Sequence, residues 1–105
     1  MYSLILYRVL TNAYARFVRV ADGAVWSDTA QALSLTTAWS ASDVALTRDG
    51  TYIGGTPVTI PPALPAGDYD MLFYENATPA AADAVLIGKR IMWSGNNLIG
   101  LPIDL

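Results

Sequence analysis

Turn signals punctuate this chain at short, near-regular intervals, and that spacing limits what it can fold into. Asp22-Gly23, Asp49-Gly50, Gly54-Gly55, Pro61-Pro62, Pro65-Ala66-Gly67, Asn76 to Pro79 and Gly95-Asn96-Asn97 separate short runs rich in Val, Ile, Leu, Thr and Tyr. Strands divided by turns about every 8 to 12 residues indicate a β-sandwich or barrel. The runs that read as strands are Tyr2–Leu10, Tyr14–Val20, Val25–Trp26, Ser34–Thr37, Val44–Thr47, Tyr52–Gly54, Thr56–Ile60, Gly67–Tyr74 and Ala84–Trp93, with Leu98–Ile103 as a terminal strand. Pro57 and Pro102 push their segments toward edges or loops, because proline has no N–H to give to a ladder. Helix is limited to a turn or two. One candidate is Asp28–Leu35, capped by Ser27 or Asp28; the other is Thr78–Ala84, with Pro79 at a first helical position. Neither is long enough to stand without tertiary support. No internal repeat of about 20 to 50 residues is visible, and no linker divides two domains.

Length and composition narrow the function classes. The 105 residues suit one domain with a real core. Apolar residues make up 53% and charged residues 14%, against about 25% charged in ordinary soluble domains. There is no Cys and no His, which removes thiol catalysis, disulfides, Ser-His-Asp triads and nearly every zinc site. A net charge of −3 argues against nucleic-acid or anionic-membrane partners. The start MYSLILYRVL has no basic region ahead of its apolar run, so no signal peptide is expected. No stretch approaches the roughly 18 apolar residues of a membrane helix. Asn76-Ala77-Thr78 matches a glycosylation sequon, but Pro79 follows it, and a turn is the expected role.

Strand alternation carries the most physical information. From Tyr69 to Glu75, one face shows Tyr69, Met71, Phe73 and Glu75, the other Asp70, Leu72 and Tyr74. From Val85 to Trp93, one face shows Val85, Ile87, Lys89, Ile91 and Trp93, the other Leu86, Gly88, Arg90 and Met92. Large apolar residues stand on both faces, where a simple sandwich alternates apolar with polar. The second face is therefore a candidate subunit contact. Both ends, Met1–Leu6 and Leu98–Leu105, are also apolar and are candidate arms on a neighbour, with Asn12 as a turn between arm and body. The candidate interface residues are Tyr2, Leu4, Ile5, Leu6, Leu72, Tyr74, Leu86, Met92, Leu98 and Ile99.

Catalytic and metal signals are weak. Asp68 and Asp70 share a strand face, but two carboxylates fall short of the six to eight oxygen ligands, or thereabouts, of a calcium site. No histidine base or Gly-x-Ser-x-Gly elbow accompanies the serines. Lys89-Arg90 follows no glycine-rich phosphate loop, and Gly54-Gly55 suits a turn or bulge. No catalytic residue, cofactor or metal is expected. Trp26, Trp39, Trp93, Tyr52, Tyr69 and Tyr74 could form a platform for sugars, but such residues more often fill a core or an interface.

Three blocks combine into a family resemblance. They are the run from Ala15 to Trp26, Leu64-Pro65-Ala66-Gly67-Asp68-Tyr69 leading into Met71-Leu72-Phe73-Tyr74-Glu75, and the run from Asp83 to Gly95. With Tyr52-Ile53-Gly54, they resemble small β-sandwich structural proteins of tailed bacteriophages. The resemblance spans roughly residues 14 to 95 and implies a non-enzymatic virion component. The expected fold is all-β, an immunoglobulin-like or jelly-roll-like sandwich of about seven to nine strands. Residues 1–13 are expected to form an arm or edge strand, 14–95 the sandwich, and 96–105 a terminal strand or arm. The expected role is capsid decoration or cement. As a trimer or dimer it would clamp the major capsid protein, in a virion assembled in the host cytoplasm. Alternatives are a collar, tail-adaptor, baseplate or fibre module, or a host-surface carbohydrate-binding module.

Overall fold

A computed structural model describes residues 2–6, 10, 12–37, 39–46 and 55–105. Among these the elements run β1 (Tyr2–Leu6), β2 (Ala13–Arg19), β3 (Val25–Ser27), β4 (Ala32–Ser34), α1 (Trp39–Ser42), β5 (Val44–Ala45), β6 (Thr56–Ile60), β7 (Gly67–Glu75), β8 (Ile87–Trp93) and β9 (Ile103–Asp104). Among the described residues the fold is all-β but for the one helical turn α1. All strand pairs are antiparallel. A seven-stranded sheet has the order β4-β3-β2-β7-β8-β9, with β5 also on β2, and β1 and β6 form a second sheet of two strands.

One face of the large sheet and the β1–β6 pair enclose the core. Ala15 and Phe17 from β2, Tyr69, Met71 and Phe73 from β7, and Ile91 and Trp93 from β8 are buried together. They meet Leu6 from β1, Val58 and Ile60 from β6, and Leu10, Trp26 and Leu64. Of the two faces that the alternation shows as apolar on β7 and β8, the one with Tyr69, Met71, Phe73, Ile91 and Trp93 is this inner face. The arrangement is sandwich-like, with two layers of unequal width.

Local chemistry explains the turns. At the β2–β3 hairpin Arg19 N donates to Ala24 O and Gly23 N to Arg19 O. Gly23 sits at φ 77°, a conformation that costs glycine little. Asp22 Oδ1 accepts from Ala24 N and from Arg19 Nε. Ahead of β7, Tyr69 Oη donates to Pro65 O at 2.7 Å and Trp93 Nε1 donates to Leu64 O at 2.8 Å. Two core aromatics thus fasten the Leu64-Pro65 turn at neighbouring carbonyls. Asn12, at φ 51°, makes the turn into β2, a backbone region that asparagine enters more readily than most residues.

The topology repeats itself about an approximate twofold. The step from Tyr2 to Thr56, which carries the start of β1 onto that of β6, is 54 residues; so is the step from Ala13 to Gly67, from β2 to β7. The same step takes buried Leu6 to Ile60 and buried Leu10 to Leu64. The pairs Leu4–Val58 and Phe17–Met71 lie at its centre, where each residue opposes its own counterpart. Each half supplies one covering strand and then a three-stranded meander, β2-β3-β4 or β7-β8-β9. The halves differ where β3 and β5 share an edge of β2 that β8 alone provides along β7.

Several expectations are corrected. Tyr2–Leu6 pairs with Thr56–Ile60 of its own chain, and Leu6 lies in the core. The segment is therefore a strand of this sandwich, where an arm on a neighbour was one expectation. Asp28–Leu35 is not helical: a turn with Gln31 at φ 54° leads into β4. Thr78–Ala84 is an irregular loop fastened by Asp83, which accepts from Ala80 N and Asn76 Nδ2. The helical turn is at Trp39–Ser42 instead. The last strand is Ile103–Asp104, with Leu98 making only a bridge to Trp93. The expected strand Tyr52–Gly54, the end of Val44–Thr47 and the turn Asp49-Gly50 lie outside the described residues. Pro57 does sit on an edge, since β6 pairs with β1 alone among the described strands.

Candidate interface on the outer sheet face

Register fixes which side chains share the outer face of the large sheet. On β2–β7, Tyr14 opposes Tyr74, Arg16 opposes Leu72 and Val18 opposes Asp70. On β7–β8, Asp68 opposes Met92, Asp70 opposes Arg90 and Leu72 opposes Gly88. On β8–β9, Arg90 opposes Ile103. One step past the Trp93–Leu98 bridge, Ile99 N donates to Met92 O. The outer face therefore joins half-buried Leu72 to exposed Met92, Ile99, Ile103 and Leu105. Ile103 is 61% exposed and Leu105 59%. Leu105 lies across Gly88, where an added Cβ would come within 2.9 Å of Leu105 Cδ1. The missing side chain lets the chain end settle on β8.

The charges on this face balance one another. Arg90 Nε donates to Asp70 Oδ1 at 2.7 Å and Nη2 to Oδ2 at 3.2 Å, a two-pronged pair across β7 and β8. The pairing raises the Arg90 pKa further. With Arg90 on Asp70, the Asp68–Asp70 pair is not an open two-carboxylate site. On the other face of the sheet, Lys89 pairs with Asp104 and ties β9 to β8. Among the described residues no group of three or more His, Cys, Asp or Glu is placed to hold a metal.

At the far end of the same face is an aromatic cluster that sequence reading does not anticipate. Tyr14 and Tyr74 stack at 4.9 Å between centroids. Trp39 meets both edge-on, at 6.4 and 5.5 Å. The Arg16 guanidinium lies 3.9 Å from the Trp39 ring centre, a cation–π contact. Arg16 Nε also donates to Ser42 Oγ, which fastens α1 to β2. Tyr14 Oη donates to Asp83 Oδ2 at 2.5 Å. Burial, and then the Asp83 carboxylate, raise the Tyr14 phenol well above its ordinary pKa, while the same hydrogen bond lowers Asp83. Burial raises Asp43, partly offset by Arg16. A cleft of about 290 Å³ beside the cluster is lined by Asn12, Tyr14, Asp43, Asn76 and neighbouring residues. The only sequence cue to this assembly is an aromatic at each of positions 14, 39 and 74.

The expected interface residues divide accordingly. Leu86, Met92 and Ile99 are exposed, and Leu72 is half-buried on the outer face. Leu6 and Tyr74 are buried inside the chain, and Leu98 is partly buried against the core. For Tyr2, Leu4 and Ile5 the strand pairing is described, but not the side chains. Ile103 and Leu105 belong with the face and are missing from the expected set, although their two-residue spacing was readable. Of the aromatics proposed as a sugar platform, Trp26, Tyr69 and Trp93 lie in the core and Tyr74 is stacked beneath Tyr14; Tyr52 lies outside the described residues. No protein-family model, no curated protein and no solved structure matches this chain.

Proposed function

We propose that this chain is a non-enzymatic structural protein of a tailed-phage virion, most in keeping with a capsid decoration or cement protein. The observation that carries the reading is the outer sheet face, where Leu72, Met92, Ile99, Ile103 and Leu105 gather around the Asp70–Arg90 ion pair. Exposed contiguous apolar surface on a small domain marks a place where another protein sits. Depletion of charge is the compositional mark of an interface centre. The phage assignment rests on the three sequence blocks, which fall on the β2–β3 hairpin, the fastened turn into β7, and β8. The mechanism is clamping: apolar area is buried at about 25 cal/mol per Å² before the costs of association. Repetition over a symmetric shell would then multiply weak contacts.

The test is co-sedimentation of the purified protein with tailed-phage particles, followed by image reconstruction of those that bind. Bound protein at regular positions over the shell, with raised resistance of the shell to heat, is the expected result. Density confined to the neck or tail would replace decoration by a collar, tail-adaptor, baseplate or fibre role. No affinity for either capsid or tail would overturn the virion reading. The sugar-binding alternative is weakened by the buried positions of Trp26, Tyr69 and Trp93.

A further inference from the structure

We infer that the outer face of the large sheet packs against the same face of a second copy, related by a twofold axis, as a face-to-face homodimer. The inference rests on the reading of the chain as an assembly protein and names the partner of that surface. Three features select a second copy over another occupant.

The first is charge. Arg16, Arg90, Asp68 and Asp70 put two positive and two negative groups on a face whose molecule carries −3 overall. Such a face offers no net field to a basic or an acidic partner. Its charges are self-complementary, because Arg90 of one copy can approach Asp68 of the other while Asp70 keeps its own ion pair. A twofold contact requires that the surface complement itself.

The second is area. Tyr14 and Tyr74 are buried and β9 is short, so the open part of the face spans four strands about 4.8 Å apart and some five residues rising about 3.3 Å each, roughly 19 by 17 Å of sheet. With side-chain relief that is on the order of 500 Å² per copy, or about 1,000 Å² in total, the lower limit of a specific interface. The third is shape. An open antiparallel sheet face is flat enough to stack on another at about 10 Å, interleaving side chains as in a sandwich core. Met92, Ile103 and Leu105 are the side chains placed to interleave, around the Asp70–Arg90 pair.

The test is sedimentation equilibrium of the intact protein and of two variants, with far-UV circular dichroism to verify folding. The doubly substituted Met92→Asp, Ile103→Asp changes only exposed side chains of the face. Leu35→Asp changes an exposed leucine just past β4, at the opposite edge of the sheet. The intact protein and Leu35→Asp are expected to be dimers at micromolar concentration. The double variant is expected to be folded and to dissociate roughly tenfold or more readily. A dimer indifferent to the double substitution would overturn the proposal. So would an intact protein that is monomeric throughout. Particle binding separates the two readings. A monomer that binds phage particles through this face removes the homodimer and leaves the virion role standing. A face-dependent dimer with no affinity for particles leaves the homodimer and removes the virion role.

Discussion

Among single residues, Trp93 and Tyr69 act well beyond their size. Each fills the core with its ring and spends its polar atom on a carbonyl of the Leu64-Pro65 turn. That turn joins β6 to β7, a central strand of the large sheet. Trp93→Phe leaves the Leu64 carbonyl without its buried donor and removes ring volume; the expected loss is about 2 to 4 kcal/mol. Tyr69→Phe keeps the ring and loses one hydrogen bond, for about 1 kcal/mol. Urea unfolding monitored by tryptophan emission for Tyr69→Phe, and by circular dichroism for Trp93→Phe, gives both values. Equal losses would mean that the carbonyl contacts matter and the Trp93 ring volume does not.

At the level of elements, β1 decides whether the sandwich closes. It is the only partner of β6 among the described strands, and with β6 it covers the inner face of the large sheet. Removing residues 1–6 uncovers Val58 and Ile60, both fully buried in the intact chain. The truncated protein is expected to lose fixed tertiary packing, with increased dye binding and a collapsed near-UV spectrum. A truncation that keeps a sharp cooperative transition would show that β1 is dispensable to the core. Much of β7 and β8 was legible because the alternation is long: Tyr69, Met71 and Phe73 turn inward and Leu72 outward, as two-residue periodicity requires. The short strands β3, β4 and β5 were less so, being two or three residues that their neighbours draw into the sheet. Trp39 was illegible as a cluster member, since α1 is one turn whose place depends on Arg16 and on the Tyr14–Tyr74 stack. The 54-residue step was hidden because it lives in burial and pairing, while the residues it relates, such as Phe17 and Met71, are chemically unlike.

The whole molecule responds to acid through groups that pull in different directions. Arg19 and the Ala24 amide hold Asp22 at about 2 against an ordinary 3.8. Tyr14, Ala80 and Asn76 hold Asp83 low as well. A carboxyl whose folded pKa is depressed supports the fold above its unfolded value and ceases to as pH falls through the folded one. Asp43 is raised by burial, so it opposes the fold when ionised and stops opposing it on protonation. Stability is therefore expected to fall between about pH 3.8 and about pH 2. Asp22→Asn should flatten part of that fall, and Asp43→Asn should abolish a gain in stability that comes above about pH 3.8 as pH falls toward it, in melting temperatures measured across both windows. Identical pH profiles for all three proteins would remove these carboxyls as its cause.

The approximate twofold makes the covalent chain less necessary than it looks. The covering strand and the central strand of each half both pair across to the other half. Residues 1–54 and 55–105 are therefore two complementary pieces, each a template for the other. Cut between Leu46 and Gly55 and mixed, they are expected to remain unstructured apart and to recover the intact circular dichroism together. The recovered fraction should depend on concentration, as for any two-body reaction. On this view the joining segment supplies proximity, raising the effective concentration of one half near the other, and the information for the fold resides in how the halves fit. Fragments that fold separately, or that never reassemble when mixed, would place that information in the connection.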